Sequence, residues 1–239
     1  MIKINKDTKP KILEDNAKQW TDEYLTALKQ STPVPPHIKY RYQHNDIKDA
    51  LEKETHGKCA YCESKIKHVA FGDIEHILPK NKNACPELYV EWTNLTLACE
   101  VCNRTNKKDY YNPSDPLINP IADEPDKYLM AFGPFIYQVP GERKGELSIA
   151  ILDLNRSELI ERRKEKIENL LPLVDKWKKE TNETYKKLLY SQIKKEAESD
   201  KEFSFIINSY LKRKRLIFRY YQKNIRLLFS SRSTLTIHI

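Results

Sequence analysis

Four of the five cysteines stand in two pairs that have the spacing of a metal site. Cys59 and Cys62 form one C-x2-C, Cys99 and Cys102 form the other, and 36 residues separate the pairs. Two such pairs are typical of a tetrahedral zinc site, whereas disulfides would need an oxidising compartment. The spacing predicts a structural Zn2+ held by four thiolates, which leave no open position for water. Cys85 is expected to have no special role.

The segment DIEHILPK, residues 73–80, lies between the two pairs and places a histidine after two carboxylates. His76 could be a zinc ligand, a buried histidine of the core or a catalytic base. Four thiolates already complete a zinc site, so a ligand role for His76 is not needed. The choice between the core and the catalytic role depends on the residues that accompany the histidine.

The N-terminal part of the chain is predicted to be helical. Apolar residues recur at helical spacing in residues 12–30, and a Pro-rich linker follows. A second helix fits residues 45–55, with Gly57 placed as its C-terminal stop.

The segment after the cysteines is first Pro-rich, then has a short strand-like run, and then has a helical pattern. Prolines crowd the passage from residue 113 to 134, and the run LSIAIL at 147–152 is typical of a short strand. From 157 to about 230 the pattern is helical, with Ser157 as a cap. These boundaries predict four segments: N-terminal helices (1–55), a core with the zinc knuckles (56–112), a Pro-rich connection with a short strand (113–156), and a helical C-terminal region with a basic tail (157–239).

The composition is that of a folded protein, and the positive charge is concentrated at one end. Charged residues make up 32% and hydrophobic residues 39% of the 239 positions, and the chain has no apolar run long enough to span a membrane. With no export signal in MIKINKDTKPKIL, a cytoplasmic location is expected. The net charge of +8 resides entirely in the eight basic residues after Glu202. This tail is either a phosphate-contacting surface or the solvated side of a helix.

The residues around His76 resemble the HNH nuclease motif. The segments IEHILPK and WTNLTLACEVCNRTNKK combine an acidic residue with a histidine, an asparagine before an apolar stretch, and C-x2-C-N followed by lysines. In this resemblance His76, Asn94 and Asn103 take the three motif positions, and Glu75 stands where the family usually has Asp. The resemblance implies a mainly helical α+β protein around a ββα-metal, or His-Me finger, core of the subtype with a four-cysteine zinc site.

The same resemblance implies phosphodiester hydrolysis. His76 would be the base that takes a proton from water, and Asn94 would hold the neighbouring loop by hydrogen bonds. Glu75 and the amide oxygen of Asn103 would hold a catalytic Mg2+ or another divalent cation, with Asp73 as the substitute for Glu75. Strand residues alternate between faces, so Glu75 and His76 are expected to share a site only if the strand bends or bulges. Nucleic-acid contacts are expected from Lys80, Arg104, Lys107 and Lys108.

A longer part of the chain, about residues 10–165, resembles the HNH component of Septu-type and retron-associated anti-phage systems. The phrases CAYCE, NPSDPLINP and LDLNRSELIERRKE carry this resemblance. It implies an ABC-type ATPase partner, or a retron reverse transcriptase with its DNA and RNA as well. The chain has no G-x4-G-K-[ST], so any ATP dependence would come from that partner. The helical C-terminal half would be either its docking surface or a cap over the nuclease core.

Three functions remain open from the sequence. The first is a DNA endonuclease of a defence complex. The second keeps the chemistry but acts on RNA, such as tRNA. The third is a zinc-dependent nucleic-acid-binding module without catalysis.

Overall fold

The structure is a computed structural model that describes residues 1–30, 32–66 and 72–213. The predicted basic tail lies outside the described residues from position 214 onwards. The α-helices are α1 (Lys11–Leu28), α2 (Pro36–Lys39), α3 (Asn45–Glu54), α4 (Pro125–Tyr128), α5 (Arg143–Ile151), α6 (Ser157–Lys179) and α7 (Glu183–Lys195), and residues 204–213 are also helical. The strands are β1 (Asp73–His76), β2 (Leu95–Ala98), β3 (Leu129–Phe132) and β4 (Phe135–Gln138).

The two predicted N-terminal helices are confirmed as α1 and α3. Helix α1 starts directly after Pro10, whose missing N–H costs nothing at a helix start, and it buries Leu13 and Tyr24. Beyond the end of α3, Gly57 has a φ of 67°, and its N–H donates to the carbonyl of Glu52 at 2.8 Å. The first left-handed residue after the helix is His56, with a φ of 54° and its N–H donating to the Lys53 carbonyl at 3.2 Å, and Gly57 follows it and completes the helix end.

Strands β1 and β2 form an antiparallel pair, and a short helical segment follows β2. Ile74 pairs with Leu97 and His76 with Leu95 in an unbroken register. The chain then turns into a π-helical segment, Val101–Lys107. Two strands followed by a helix are the expected ββα arrangement, which confirms the predicted α+β class.

The predicted strand LSIAIL is wrong, because these residues lie in α5 and the end of its last turn. A short apolar run does not distinguish a buried strand from a buried helix. Here the hydroxyl of Ser148 donates to the Lys144 carbonyl at 2.8 Å and accepts the Ile118 N–H at 2.8 Å, which anchors the helix. The strands of this region are instead β3 and β4, a hairpin that turns Met130 and Phe132 to solvent and packs Leu129 inward.

The helical C-terminal region is confirmed up to the last described residue. Helix α6 contains Pro172 and packs against α7 and the helical residues 204–213. Their apolar contacts form a small second cluster of Leu170, Val174, Ile193 and Ile207. Ser157 is the first helical residue of α6 and not its cap; Arg156 occupies the cap position without a side-chain bond.

One main core draws residues from all four predicted segments. It includes Leu13, Leu97, Ile118 and Leu159, all at most 2% exposed. The zinc-type cysteines and the β1–β2 pair therefore share one core with residues of the N-terminal helices and of α6. No helix among the described residues combines the length and apolar character that crossing a membrane requires.

Candidate active site and zinc centre

The four predicted cysteines come together. Their sulfur atoms all lie within 4.8 Å of one another. Cys59 and Cys62 are held against β2 because the N–H of Ala60 donates to the Leu97 carbonyl at 2.9 Å, while Cys99 and Cys102 follow β2 directly. Four converging thiols are the donor set that tetrahedral zinc takes in structural sites, so the residues fit a zinc ion.

Two arginines lie beside this cluster. The Nη1 atom of Arg156 is 3.8 Å from the sulfur of Cys102. Arg163 is fully buried, and its Nη1 donates to the Leu154 carbonyl at 2.7 Å. Burial lowers the pKa of Arg163 to about 10, against the attraction of Cys62 and Glu63. Four thiolates around Zn2+ carry a net charge of −2, so two neighbouring cations offset it.

His76 is buried at the end of β1, with its Nε2 atom 2.8 Å from the carbonyl oxygen of Tyr89. A carbonyl only accepts, so Nε2 carries the ring proton. The edge-on ring of Tyr42 has its centroid 4.7 Å away. Burial, helped by the charge of Lys80, lowers the pKa of His76 to about 3. The imidazole is therefore neutral at pH 7, and Nδ1 has no proton.

Asn94 closes the loop that follows β1. Its side-chain oxygen accepts the N–H of Leu78 at 2.8 Å, and its Nδ2 donates to the carbonyls of Leu78 at 2.9 Å and Leu88 at 3.3 Å. The backbone carbonyl of Asn94 also accepts the N–H of Ile77 at 2.9 Å. One buried side chain thus ties both ends of the loop that carries Tyr89.

Glu75 is 3% exposed and is held by two donors. Its Oε1 atom lies 2.6 Å from the ammonium of Lys107 and accepts the hydroxyl of Tyr61 at 3.1 Å. Burial raises the pKa of Glu75, and the positive charge of Lys107 opposes this effect. Lys107 is itself buried and also donates to the backbone carbonyl of His76 at 2.9 Å. Its ammonium therefore faces Glu75, and it does not line the cavity next to His76.

A cavity of about 430 Å³ opens beside the end of β1. It brings together most of the predicted site residues: Asp73, Glu75, His76, Lys80, Asn103, Arg104 and Lys108. Glu75 and His76 both line it although the β1–β2 register is unbroken, so the two residues share the cavity without a bulge in this strand pair. A larger cavity of about 600 Å³ lies beside the N-terminal segment and contains none of the predicted catalytic residues.

The basic residues of this cavity differ in how strongly neighbouring side chains already engage them. Arg104 donates to both carboxylate oxygens of Asp73, at 2.7 and 2.5 Å. Both oxygens of Asp73 are therefore engaged, whereas the contacts of Glu75 with Lys107 and Tyr61 involve one oxygen, Oε1. Lys80 lies 4.5 Å over the Tyr42 ring, and burial lowers its pKa. Lys108 is exposed at the end of the π-helical segment.

Sequence reasoning missed several contributors to the site, among them Tyr89, Arg156 and Tyr61. The carbonyl of Tyr89 acts through the backbone, so its side chain carries no signal. Arg156 looks like any solvated arginine of a charged helix. Tyr61 could have been noticed because it stands between Cys59 and Cys62, two members of the four-cysteine cluster.

The chain is similar in sequence to known proteins. Residues 59–109 match the family model described as HNH endonuclease. The Septu protein PtuB of Bacillus mycoides (strain KBAB4) is 30% identical over 194 residues, which cover 68% of this chain and 66% of that protein. The Septu protein PtuB of Bacillus thuringiensis is 30% identical over 158 residues, which cover 65% of this chain and 55% of that protein. The aligned region thus falls short of two thirds of either relative's length.

Proposed function

Because residues 59–109 place this chain in the HNH endonuclease family, we propose that it is a metal-dependent endonuclease that hydrolyses phosphodiester bonds of DNA. The contact between Nε2 of His76 and the Tyr89 carbonyl carries the proposal. Because Nε2 carries the proton, the other ring nitrogen, Nδ1, has none, and His76 lines an open cavity. Such a nitrogen can take a proton from the attacking water, which is the task of a general base.

The oxygen donors of the same cavity fit a hard divalent cation such as Mg2+. Glu75 offers a carboxylate oxygen and Asn103 an amide oxygen, and both residues line the cavity with His76. When bound, the cation would stabilise the charge on the phosphate and on the departing oxygen. A zinc ion bound by the four cysteines would have a different role, since its ligands would join the two cysteine pairs on either side of β2.

Three cations line the cavity where a phosphate backbone would lie. They are Lys80, Arg104 and Lys108. Such side chains position the backbone without reading the bases. In this arrangement Lys107 contacts Glu75 and does not line the cavity, so it acts on the site through that carboxylate.

The names of the curated relatives support a role in phage defence. Both are named Septu proteins, and each is 30% identical to this chain over the aligned region. We propose that this chain is the nuclease effector of a cytoplasmic defence complex and that an ABC-type ATPase is its partner. A complex that also contains a retron reverse transcriptase is the second arrangement. The gene beside this one would distinguish the two.

The direct test is a cleavage assay with the zinc-loaded protein, alone and with the candidate ATPase. DNA, tRNA and unstructured RNA are offered in parallel, with Mg2+, with Mn2+ and with EDTA. We expect DNA cleavage that EDTA stops and that His76→Ala removes. Cleavage of RNA alone would move the proposal to an RNA nuclease. Binding without cleavage, unchanged in His76→Ala and Asn103→Ala but lost in Cys99→Ser, would identify a zinc-dependent binding module instead.

A further inference from the structure

Glu75 departs from the usual aspartate of the motif by one methylene group. The longer side chain has an additional rotatable bond, so a free glutamate would lose more conformational entropy when it binds a cation. A carboxylate that is already immobilised avoids this loss. The contacts of Glu75 therefore decide whether glutamate can serve at this position.

The two donors to Glu75 converge on one oxygen. Both the Lys107 ammonium, at 2.6 Å, and the Tyr61 hydroxyl, at 3.1 Å, contact Oε1. Among the described residues, no donor contacts the second oxygen, Oε2, and Glu75 lines the cavity with Asn103. The carboxylate is thus fixed through one oxygen, and the other oxygen remains for a ligand.

We propose that Tyr61 and Lys107 are positioning residues for the divalent cation, because they hold Oε1 of Glu75 and leave Oε2 to bind the ion. The inference rests on the proposed function. The two contacts compensate for the extra methylene group of Glu75, because they set the rotamer of a side chain that is longer than aspartate. Hydrogen-bonded partners of metal ligands commonly control the affinity of the site.

Each positioning residue also connects the cation site to another part of the molecule. Lys107 donates to the backbone carbonyl of His76 at 2.9 Å, so the same ammonium orients the ligand and the residue that bears the base. Tyr61 lies between Cys59 and Cys62, so the zinc knuckle determines where its hydroxyl is. The zinc centre thereby sets the geometry of the catalytic cation site through Tyr61 and Glu75.

The test uses Tyr61→Phe in the zinc-loaded protein, because this change removes one hydroxyl and keeps the buried ring. Mn2+ binding is measured by titration with electron paramagnetic resonance. We expect the dissociation constant for Mn2+ to rise by about tenfold, as for other ligand-orienting partners, with the zinc content unchanged. Tyr110→Phe is the matched control, because its hydroxyl donates to the Asp115 carbonyl at 2.8 Å and not to Glu75. It should leave Mn2+ binding as in the wild type.

A double-mutant cycle separates positioning from general structural damage. In a Glu75→Ala background, Tyr61→Phe should have no further effect on Mn2+ affinity, because the side chain it positions is absent. Lys107→Arg gives a second variant, expected to weaken Mn2+ binding because a planar guanidinium does not reproduce both contacts of the ammonium. Unchanged Mn2+ affinity in Tyr61→Phe, or additive effects in the double variant, would overturn the inference while the nuclease proposal stands. A wild-type protein that binds no Mn2+ and cuts nothing would overturn both.

Discussion

The Nε2 atom of His76 and the backbone carbonyl of Tyr89 lie 2.8 Å apart, and this contact sets the tautomer of the proposed base. It joins the end of β1 to the loop that leads into β2. Asn94 holds that loop at Leu78 and Leu88. The tautomer of His76 therefore depends on the position of the Tyr89 backbone, which the buried side chain of Asn94 maintains.

His76→Ala should reduce cleavage by about 10²–10⁴-fold, the usual contribution of a general base. The change also leaves the carbonyl of Tyr89 without its buried partner, so we expect a loss of about 1–3 kcal/mol in the free energy of unfolding. Zinc content should stay at one ion per chain. His37→Ala, at an exposed histidine of α2, is the control and should change neither property. Full cleavage by the His76 variant would remove the histidine from the mechanism.

Asn94→Ala and Asn94→Asp should both lower activity, for different reasons. Alanine removes the bonds to Leu78 and Leu88, which costs up to about 1–3 kcal/mol for each backbone group that water does not reach. Aspartate keeps an acceptor for the Leu78 N–H but places a second carboxylate oxygen against two carbonyls. We expect aspartate to be at least as damaging as alanine in thermal unfolding and in kcat. An aspartate variant with wild-type stability would show that the donor end of Asn94 is not needed.

Cys99→Ser should abolish zinc binding and destabilise the core, because structural zinc contributes roughly 10 kcal/mol or more of binding free energy to folding. The measurements are zinc content by atomic absorption and the unfolding temperature. Cys85→Ser is the matched change, since Cys85 is buried outside the four-sulfur cluster. It should retain zinc with a small loss of stability. Equal zinc contents in the two variants would contradict the assignment of the ligands.

Arg156→Met should accelerate the release of zinc to a chelator by roughly tenfold, in line with other partners of metal ligands. The arginine lies 3.8 Å from the sulfur of Cys102 and offsets part of the negative charge of the thiolates. Arg143→Met removes a cation that pairs with Glu146 on the surface, so it should leave the release rate unchanged. Identical rates for both variants would show that Arg156 does not stabilise the zinc-loaded state.

Much of the fold and of the site could be predicted from short patterns. Helices α1 and α3 follow from apolar spacing and from Gly57, and the cysteine pairs predicted the cluster that the sulfur atoms form. The strand predicted for LSIAIL was wrong because a run of this length is too short to show a helical or a strand period. Partners on other elements settle such a segment, here the contact of Ser148 with Ile118.

The sequence by itself determined the residue types that the chemistry needs: four thiols, a histidine, and carboxylate and amide oxygens at defined spacings. Only the tertiary structure decided what each of them contacts. The Tyr89 carbonyl selects the tautomer of His76, and Lys107 and Tyr61 engage a single oxygen of Glu75. The physical reason is that tautomer, rotamer and charge are set by neighbours within about 3 Å, the length of a hydrogen bond. In this chain those neighbours are 13 to 32 positions away in sequence for these three contacts.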